Sequence, residues 1–152
     1  MLRTWMTICM PAKNSAFVDS SYFIALYNNG DALHQKARDA AGRLAASGQN
    51  VVTSNYVLLE VLTVLSQRID RQLAIAAGQN ISDATQIEVV HITETLHERS
   101  WQIFQSVERK NVSFVDCSIV AVMQYAGIQQ LLTFDTTDFR LLRKQFGFSL
   151  FL

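Results

Sequence analysis

The stretch AFVDSSYFIAL, residues 16–26, decides the predicted fold. Three apolar residues lead to Asp19, two serines follow, and apolar residues then recur at helical spacing. This order predicts a short buried strand, a turn and a helix. A strand that passes almost directly into a helix is typical of α/β folds.

The same succession continues along the rest of the chain. Short strands are predicted at 51–52, 87–92, 131–135 and 148–151, and helices at 22–27, 32–46, 56–68, 95–110, 114–125 and 137–144. Asp31 is the predicted cap of the second helix. Strands that alternate with helices imply a parallel sheet covered on both faces.

Three helical segments carry more specific expectations. Apolar positions wrap most of the circumference of 56–68, which predicts a largely buried helix. Its polar stripe, which should face a cleft or water, is Tyr56, Glu60, Thr63 and Gln67. Residues 69–85 predict a short helix and then a polar loop around Gly78, Asn80, Ser82 and Asp83. The nearly all-apolar segment 114–125 predicts a central buried helix that ends at Gly127.

Composition limits the classes of protein that the chain can be. Its 152 residues suit one domain, which we expect at 16–152 after an extension at 1–15. Lys plus Arg and Asp plus Glu are 13 each, so the net charge of zero excludes a chain-wide basic field, and any nucleic-acid binding must be local. Cys9 and Cys117 match no disulfide or metal-ligand spacing. Without a signal peptide or a membrane-length apolar run, we expect a cytoplasmic protein that does not bind membranes.

Four carboxylates stand beside apolar segments. Asp19 and Asp135 each end a predicted strand, so both should lie at the carboxyl edge of the sheet, where α/β folds bind ligands. Asp116 opens the central helix, and Glu60 lies in the first half of another apolar helix.

Each of these acids also has a structural interpretation. Asp19 and Asp135 could simply cap the helices that follow them. Ser113-x-x-Asp116 matches a capping box, and Asp135-x-x-Asp138 matches one more loosely. Asp138 is a possible fifth acid, although a structural role in the last helix is favoured. Glu60 alone would fit a solvated helix face.

Taken together, the four acids need a counter-charge, because unpaired buried carboxylates are costly. The nearby sequence offers none: no Lys or Arg falls in 14–35 or in 111–139. A metal cation would meet the need, and an oxygen-only ligand set favours Mg²⁺ or Mn²⁺ over zinc. Such an ion can activate water for attack on a phosphodiester.

The segments that contain the four acids resemble the PIN domain, and specifically the VapC toxins of bacterial VapBC toxin–antitoxin pairs. The resemblance rests on FVDSSYFIAL with Asp19, TSNYVLLEVLTVL with Glu60, FVDCSIVAVM with Asp116 and LLTFDTTDF with Asp135. It covers roughly residue 16 to the C-terminus.

The resemblance implies a Mg²⁺- or Mn²⁺-dependent RNA endonuclease with a three-layer α/β/α fold and a mostly parallel sheet. It also implies a homodimer held inactive by a small antitoxin. Asp19 and Asp116 would bind the metal most directly, Asp135 would complete the metal site, in part through bound water, and Glu60 would act through water. Small polar residues at Ser21 and Thr133 would support the site. The best local candidates for contact with RNA phosphates are Arg140, Arg143 and Lys144.

Other functions stay open at this point. A PIN-type nuclease could act in RNA processing instead of as a toxin. A phospho-accepting signalling domain fits less well, since Asp19 is followed by serines and no lysine follows the final strand. An inactive domain that only binds a partner is the third alternative. The scattered histidines, His34, His91 and His97, favour surface, packing or capping roles, and Cys117 favours an apolar role over a nucleophilic one.

Overall fold

The sheet at the centre of the protein has five parallel strands. In the computed structural model, which describes residues 14–151, the strand order is β3-β2-β1-β4-β5. The strands are β1 (Ser15–Val18), β2 (Asn50–Ser54), β3 (Ile87–Val90), β4 (Gln130–Leu132) and β5 (Ser149–Leu150). The predicted parallel α/β sheet is confirmed.

Within residues 14–151, seven helices connect and cover these strands. They are α1 (Ser20–Tyr27), α2 (His34–Ser47), α3 (Asn55–Arg68), α4 (Arg71–Asp83), α5 (Glu94–Ser106), α6 (Phe114–Ala126) and α7 (Thr136–Phe146). Every residue of β1 is buried, which requires helices on both faces of the sheet and gives three α/β/α layers. None of the helices within 14–151 combines the length and hydropathy of a transmembrane span.

The strand order reverses next to β1. From β1 the chain moves outward through β2 to β3, and then returns to place β4 on the other side of β1. Phe17 pairs with Val52 on one side and with Leu131 on the other. In parallel sheets such a reversal opens a crevice at the carboxyl ends of the two strands, so the crevice here lies between β1 and β4.

The central helix is α6, as predicted. Seven consecutive residues from Cys117 to Met123 are buried. Gly127 ends the helix with a left-handed backbone, at a φ of 68°. Glycine takes this conformation without the steric cost that a Cβ atom imposes.

The prediction that 56–68 is largely buried is wrong. The helix, α3, buries one narrow stripe, Val57, Val61 and Leu65, and leaves Leu59 64% exposed. A helix in the outer layer of the fold needs to bury only the face that it turns toward the sheet, and the other apolar residues of α3 are partly covered by α1 and α4.

The predicted polar loop around Gly78, Asn80, Ser82 and Asp83 is also wrong, because α4 continues to Asp83. Asp70 caps its start by accepting a hydrogen bond from the backbone N–H of Leu73 at 2.7 Å. A buried apolar face, consisting of Ala74, Ala77 and Ile81, then holds the helix in place despite its polar residues. A Cβ atom at Gly78 would lie 3.0 Å from a methyl group of Leu62, so this glycine lets α4 approach α3 closely.

Several predicted helix boundaries shift, by up to four residues, and two of these shifts change an interpretation. The side chain of Asp31 accepts from the N–H of Leu33 at 2.8 Å within a turn, so α2 begins at His34 and Asp31 is not its cap. Helix α5 ends at Ser106, four residues before Lys110. Positions 1–13 of the predicted N-terminal extension lie outside the described residues. The domain boundary between 15 and 16 stays a prediction, although β1 already includes Ser15.

Two glycine substitutions test the backbone argument. Gly127→Ala should lower the free energy of unfolding by about 1–2 kcal/mol, because alanine strains the left-handed backbone. Gly42→Ala, in the exposed middle of α2 and equally free of steric contact, should instead raise it by up to about 1 kcal/mol. Urea denaturation followed by circular dichroism measures both, and changes of the same sign would contradict the argument.

Candidate functional site

Asp19 is the most buried of the four predicted acids. It follows β1, caps α1, and is 3% exposed. Its Oδ1 accepts a hydrogen bond from the backbone N–H of Ser20 at 2.6 Å. Its Oδ2 accepts from the hydroxyl groups of Ser21 at 2.9 Å and Thr133 at 2.8 Å. Burial raises the pKa of Asp19, and these hydrogen bonds lower it only in part.

The hydroxyl groups of Ser21 and Thr133 join the ends of β1 and β4. Besides donating to Asp19, the Ser21 Oγ accepts from the N–H of Phe134 at 2.9 Å, and the Thr133 Oγ1 accepts from the N–H of Asp135 at 3.0 Å. The N–H of Asp19 in turn donates to the carbonyl of Leu132 at 3.0 Å. The two small polar residues predicted beside the site therefore contact Asp19 directly and fix the start of the segment that contains Asp135.

Asp116 is held by the capping box of α6. Its Oδ2 accepts from the N–H of Ser113 at 2.8 Å, and its own N–H donates to the Ser113 Oγ at 3.1 Å. The structural interpretation of this spacing is thus confirmed, but it does not exclude a second role. Burial raises the pKa of Asp116 to about 7, and the negative charges of Asp19 and Glu60 contribute to the increase.

Glu60 and Asp135 lie in more open positions. Burial raises the pKa of the half-buried Glu60; a hydrogen bond with Ser20 lowers it, and the charges of Asp19 and Asp135 raise it again. Asp135 is exposed and precedes α7, yet its side chain makes no capping hydrogen bond. Capping therefore explains the position of Asp19 but not that of Asp135.

The four carboxylates form one electrostatic group at the crevice. The charge of Asp19 raises the pKa values of both Glu60 and Asp116, that of Glu60 raises the pKa of Asp116, and that of Asp135 raises the pKa of Glu60. Within residues 14–151 none of the four is paired with a Lys or Arg side chain. Accumulated negative charge without a protein counter-charge is the environment that a cation would stabilise.

The chemistry of these donors fits a hard divalent cation, because all are carboxylate oxygens. Across the described part of the chain, however, no three His, Cys, Asp or Glu side chains are close enough together to hold a metal ion. The predicted ligand set of Asp19, Asp116 and Asp135 therefore stays a prediction, and binding of an ion would require the side chains to move closer together.

The three predicted phosphate contacts all lie on α7, the helix that begins directly after Asp135. Arg140, Arg143 and Lys144 are exposed. Arg140 and Lys144 line one cavity, and Arg143 is not among its lining residues. Asp138 is buried in the first turn of α7, with its Oδ1 4.0 Å from the Nε of Arg109.

The remaining candidates have packing roles. The Nδ1 of His34 lies 2.9 Å from the carbonyl of Ala25 and ties α2 to α1. Cys117 is buried, and burial together with Asp116 raises the pKa of its thiol to about 11, so it is no nucleophile. Sequence reasoning missed the 2.9 Å contact between the Tyr56 hydroxyl and His97, which links α3 to α5 next to the ring of Phe114. Because these two residues are 41 positions apart, no local sequence pattern indicates their contact.

Comparison with known families agrees with this geometry. The family model described as PIN domain matches residues 16–145, a span that includes all four acids. The chain belongs to the PIN domain family. In this PIN domain the matched region begins in β1 and ends within α7.

A curated relative of this PIN domain is the 23S rRNA-specific endonuclease VapC20 of Mycobacterium tuberculosis. The two are 42% identical over 120 residues, which cover 78% of this chain and 88% of VapC20. The crystal structure of M. tuberculosis VapC20, described as a Sarcin-Ricin loop cleaving toxin, matches with a TM-score of 0.74 and 38% identity, over 84% of this chain and 95% of that one.

The fold also matches more distant toxin–antitoxin structures. VapBC2 of Rickettsia felis bound to a promoter DNA fragment gives a TM-score of 0.64 at 14% identity, over 90% of this chain and 96% of that one. A toxin–antitoxin complex of Klebsiella pneumoniae gives 0.58 at 23% identity, over 82% and 90%. At these identities the likeness concerns the fold alone.

Thr133→Val tests the hydroxyl network around Asp19. Valine keeps the shape but leaves buried polar groups without a partner, so the free energy of unfolding should fall by about 1–3 kcal/mol. Nuclease activity should fall as well, because Asp19 and the backbone of Asp135 lose their common anchor. Thr53→Val is the matched control: Thr53 is equally buried but donates to the carbonyl of Val18. Thr53→Val should lower the free energy of unfolding and retain activity. An equal loss of activity in Thr53→Val and Thr133→Val would contradict the role of Thr133.

The raised pKa of Asp116 predicts how stability depends on pH in the presence of a chelator. The folded protein holds the proton of Asp116 more tightly than the unfolded chain does. The contribution of this group to stability is therefore greatest below pH 4 and is lost as the pH rises toward 7. One such proton contributes a slope of up to about 1.4 kcal/mol per pH unit. Urea denaturation between pH 4 and 8 should give a shallower decline for Asp116→Asn than for wild type. Asp39→Asn, at an exposed site on α2, should leave the slope unchanged, and parallel profiles for all three proteins would refute the assignment.

Proposed function

We propose that this PIN domain is a metal-dependent RNA endonuclease and the toxin of a type II toxin–antitoxin pair. The observation that supports this most strongly is the group of four carboxylates, unpaired by any described Lys or Arg, at the crevice between β1 and β4. A hydrolase for phosphodiesters needs both a cation site and a means of orienting water, and carboxylates serve both purposes.

Ribosomal RNA is the proposed substrate class. VapC20 is a 23S rRNA-specific endonuclease, and this chain matches it at 42% identity over most of both proteins. We therefore take 23S rRNA, and the sarcin–ricin loop within it, as the first RNA on which to look for a cut.

In the proposed mechanism Asp19 and Asp116 would hold Mg²⁺ or Mn²⁺, and Asp135 would complete the site. When bound, the cation supplies positive charge that stabilises the phosphoryl oxygens and favours the ionisation of water. Burial raises the pKa of Glu60, which makes its carboxylate a stronger base toward a proton of the attacking water. Ser21 and Thr133 hold the Asp19 carboxylate in one orientation.

The proposed partners are a small antitoxin and a second copy of the chain. The solved structures with the same fold include VapBC complexes, so a toxin that is inhibited by a protein partner is the simplest biological setting. A role in RNA processing would use the same chemistry, but the 42% identity to a toxin favours the first function. Growth arrest on expression alone, relieved by a co-expressed antitoxin, distinguishes the two.

The test is incubation of the purified protein with ribosomes and with total RNA, with Mg²⁺ or Mn²⁺ and then with a chelator, followed by mapping of the fragment ends. We expect metal-dependent cleavage of 23S rRNA. Asp19→Asn and Asp116→Asn should lower the rate at least 100-fold with the fold retained, because each removes a charge that would hold the cation.

Two controls separate loss of chemistry from loss of structure. Asp39→Asn makes the same chemical change away from the crevice and should cut at the wild-type rate. Mn²⁺ should raise the melting temperature of wild type and of Asp39→Asn, but not that of Asp19→Asn. Metal-independent cleavage, or full activity of Asp19→Asn, would overturn the proposed site.

A further inference from the structure

A basic cavity lies along one face of α7, outside the group of four acids. It has a volume of about 280 Å³ and is lined by Arg109, Thr137, Arg140, Leu141 and Lys144. Three of the five lining residues carry a positive charge at neutral pH, and Thr137 adds a hydroxyl group. A cavity with this lining is suited to an anion.

The helix places this cavity next to the candidate active site. The four lining residues of α7 recur at helical spacing, so they share one face of the helix. Helix α7 begins immediately after Asp135. At the α-helical rise, Arg140 and Lys144 lie about 8 and 14 Å along the axis from Asp135. An RNA strand that reaches the acids can therefore also pass over the cavity.

Arg109 enters the cavity from a different part of the chain, the loop between α5 and α6. Its Nε lies 4.0 Å from the Oδ1 of Asp138, which has no hydrogen-bond partner within residues 14–151. The side chain of Asp138 is 11% exposed and that of Arg109 is 46% exposed. The buried carboxylate thus orients a half-exposed guanidinium, whose other N–H groups stay available to a ligand.

We propose that this cavity binds a backbone phosphate of the RNA substrate, a short distance from the phosphate that is cut. This inference rests on the proposed function. Guanidinium groups recognise phosphate through paired hydrogen bonds, and a lysine adds a point charge. The lining contains no aromatic ring on which a base could stack, so the site holds the strand in register and does not read its sequence.

The zero net charge of the chain gives the cavity its importance. Without a basic field over the whole surface, attraction for RNA must come from local sites. The cavity offsets the repulsion that the four nearby carboxylates exert on an approaching phosphate.

The test compares Arg109→Ala, Arg140→Ala and Lys144→Ala with Arg68→Ala. Arg68 is an exposed cation at the C-terminal end of α3. Its removal changes the net charge by the same amount as each cavity variant, but at the edge of the sheet opposite the crevice. Binding of a fluorescent single-stranded RNA fragment of 23S rRNA is measured with chelator between 50 and 300 mM salt. Each cavity variant should reduce the slope of log K against log salt by about 0.7, the value for one lost phosphate contact on a single strand. The Arg68→Ala slope should equal that of wild type.

Steady-state cleavage of the same RNA provides a second readout. The cavity variants should raise KM three- to tenfold and keep kcat within twofold, because the cavity holds the strand and does not contact the reacting atoms. Unchanged salt slopes and KM values in all three variants would overturn the inference. So would an equal loss in Arg68→Ala, since Arg68 lies outside the cavity. If wild type binds inorganic phosphate at millimolar concentration while the salt slopes of RNA binding stay unchanged in the cavity variants, the cavity binds free anions and the inference fails.

Failure of the inference about the cavity can be distinguished from failure of the proposed function. If wild type cuts RNA with metal and the cavity variants behave like Arg68→Ala, the inference about the cavity fails and the endonuclease remains. If wild type neither binds nor cuts any RNA, both fail.

Discussion

The buried carboxylate of Asp19 is the constraint on which the rest of the site depends. It lies where β1 passes into α1, and two hydroxyl groups from separate segments donate to the same oxygen. One of those hydroxyls also fixes the backbone that follows β4, so the position of Asp135 is set from Asp19. A charge in this position is expensive to bury, and the surrounding hydrogen bonds only partly compensate, which is why its pKa remains raised.

The fold concentrates negative charge, and the free-energy cost of burying it, at one edge of the sheet. The reversal of strand order puts β1 next to β4, and the helices that follow β2 and precede β4 bring Glu60 and Asp116 to the same crevice. Such a group of like charges destabilises the folded protein at neutral pH and is the environment that a cation would stabilise. The stability of the folded chain and its readiness for chemistry are therefore opposed at this edge, as they are at many active sites.

Much of this arrangement could be predicted from the sequence, because apolar strands that end in acids mark the carboxyl edge of a parallel sheet. This pattern predicts Asp19 and Asp135 at that edge, and the nearly all-apolar run of 114–125 predicts the buried helix that begins near Asp116. Thr133 is expected only from the family resemblance. Where prediction failed, tertiary packing decided. Helix α4 continues through Gly78 because Leu62 of α3 packs against it, and Leu59 is exposed because no element within residues 14–151 covers that side of α3. Nor could spacing reveal Arg109 beside Asp138, since 29 positions separate them along the chain.

The capping box of α6 has a consequence for how such a protein can lose its activity. One oxygen of Asp116 closes the first turn of the most buried helix. Replacing this side chain by one that cannot accept a hydrogen bond removes both a charge from the crevice and a cap from the core. Asp135 is exposed and makes no such bond, so it can change without loosening a helix. In a genetic selection for survivors of a toxic chain, folded and inactive variants would therefore arise more freely at position 135, and those at 116 would more often be misfolded and degraded.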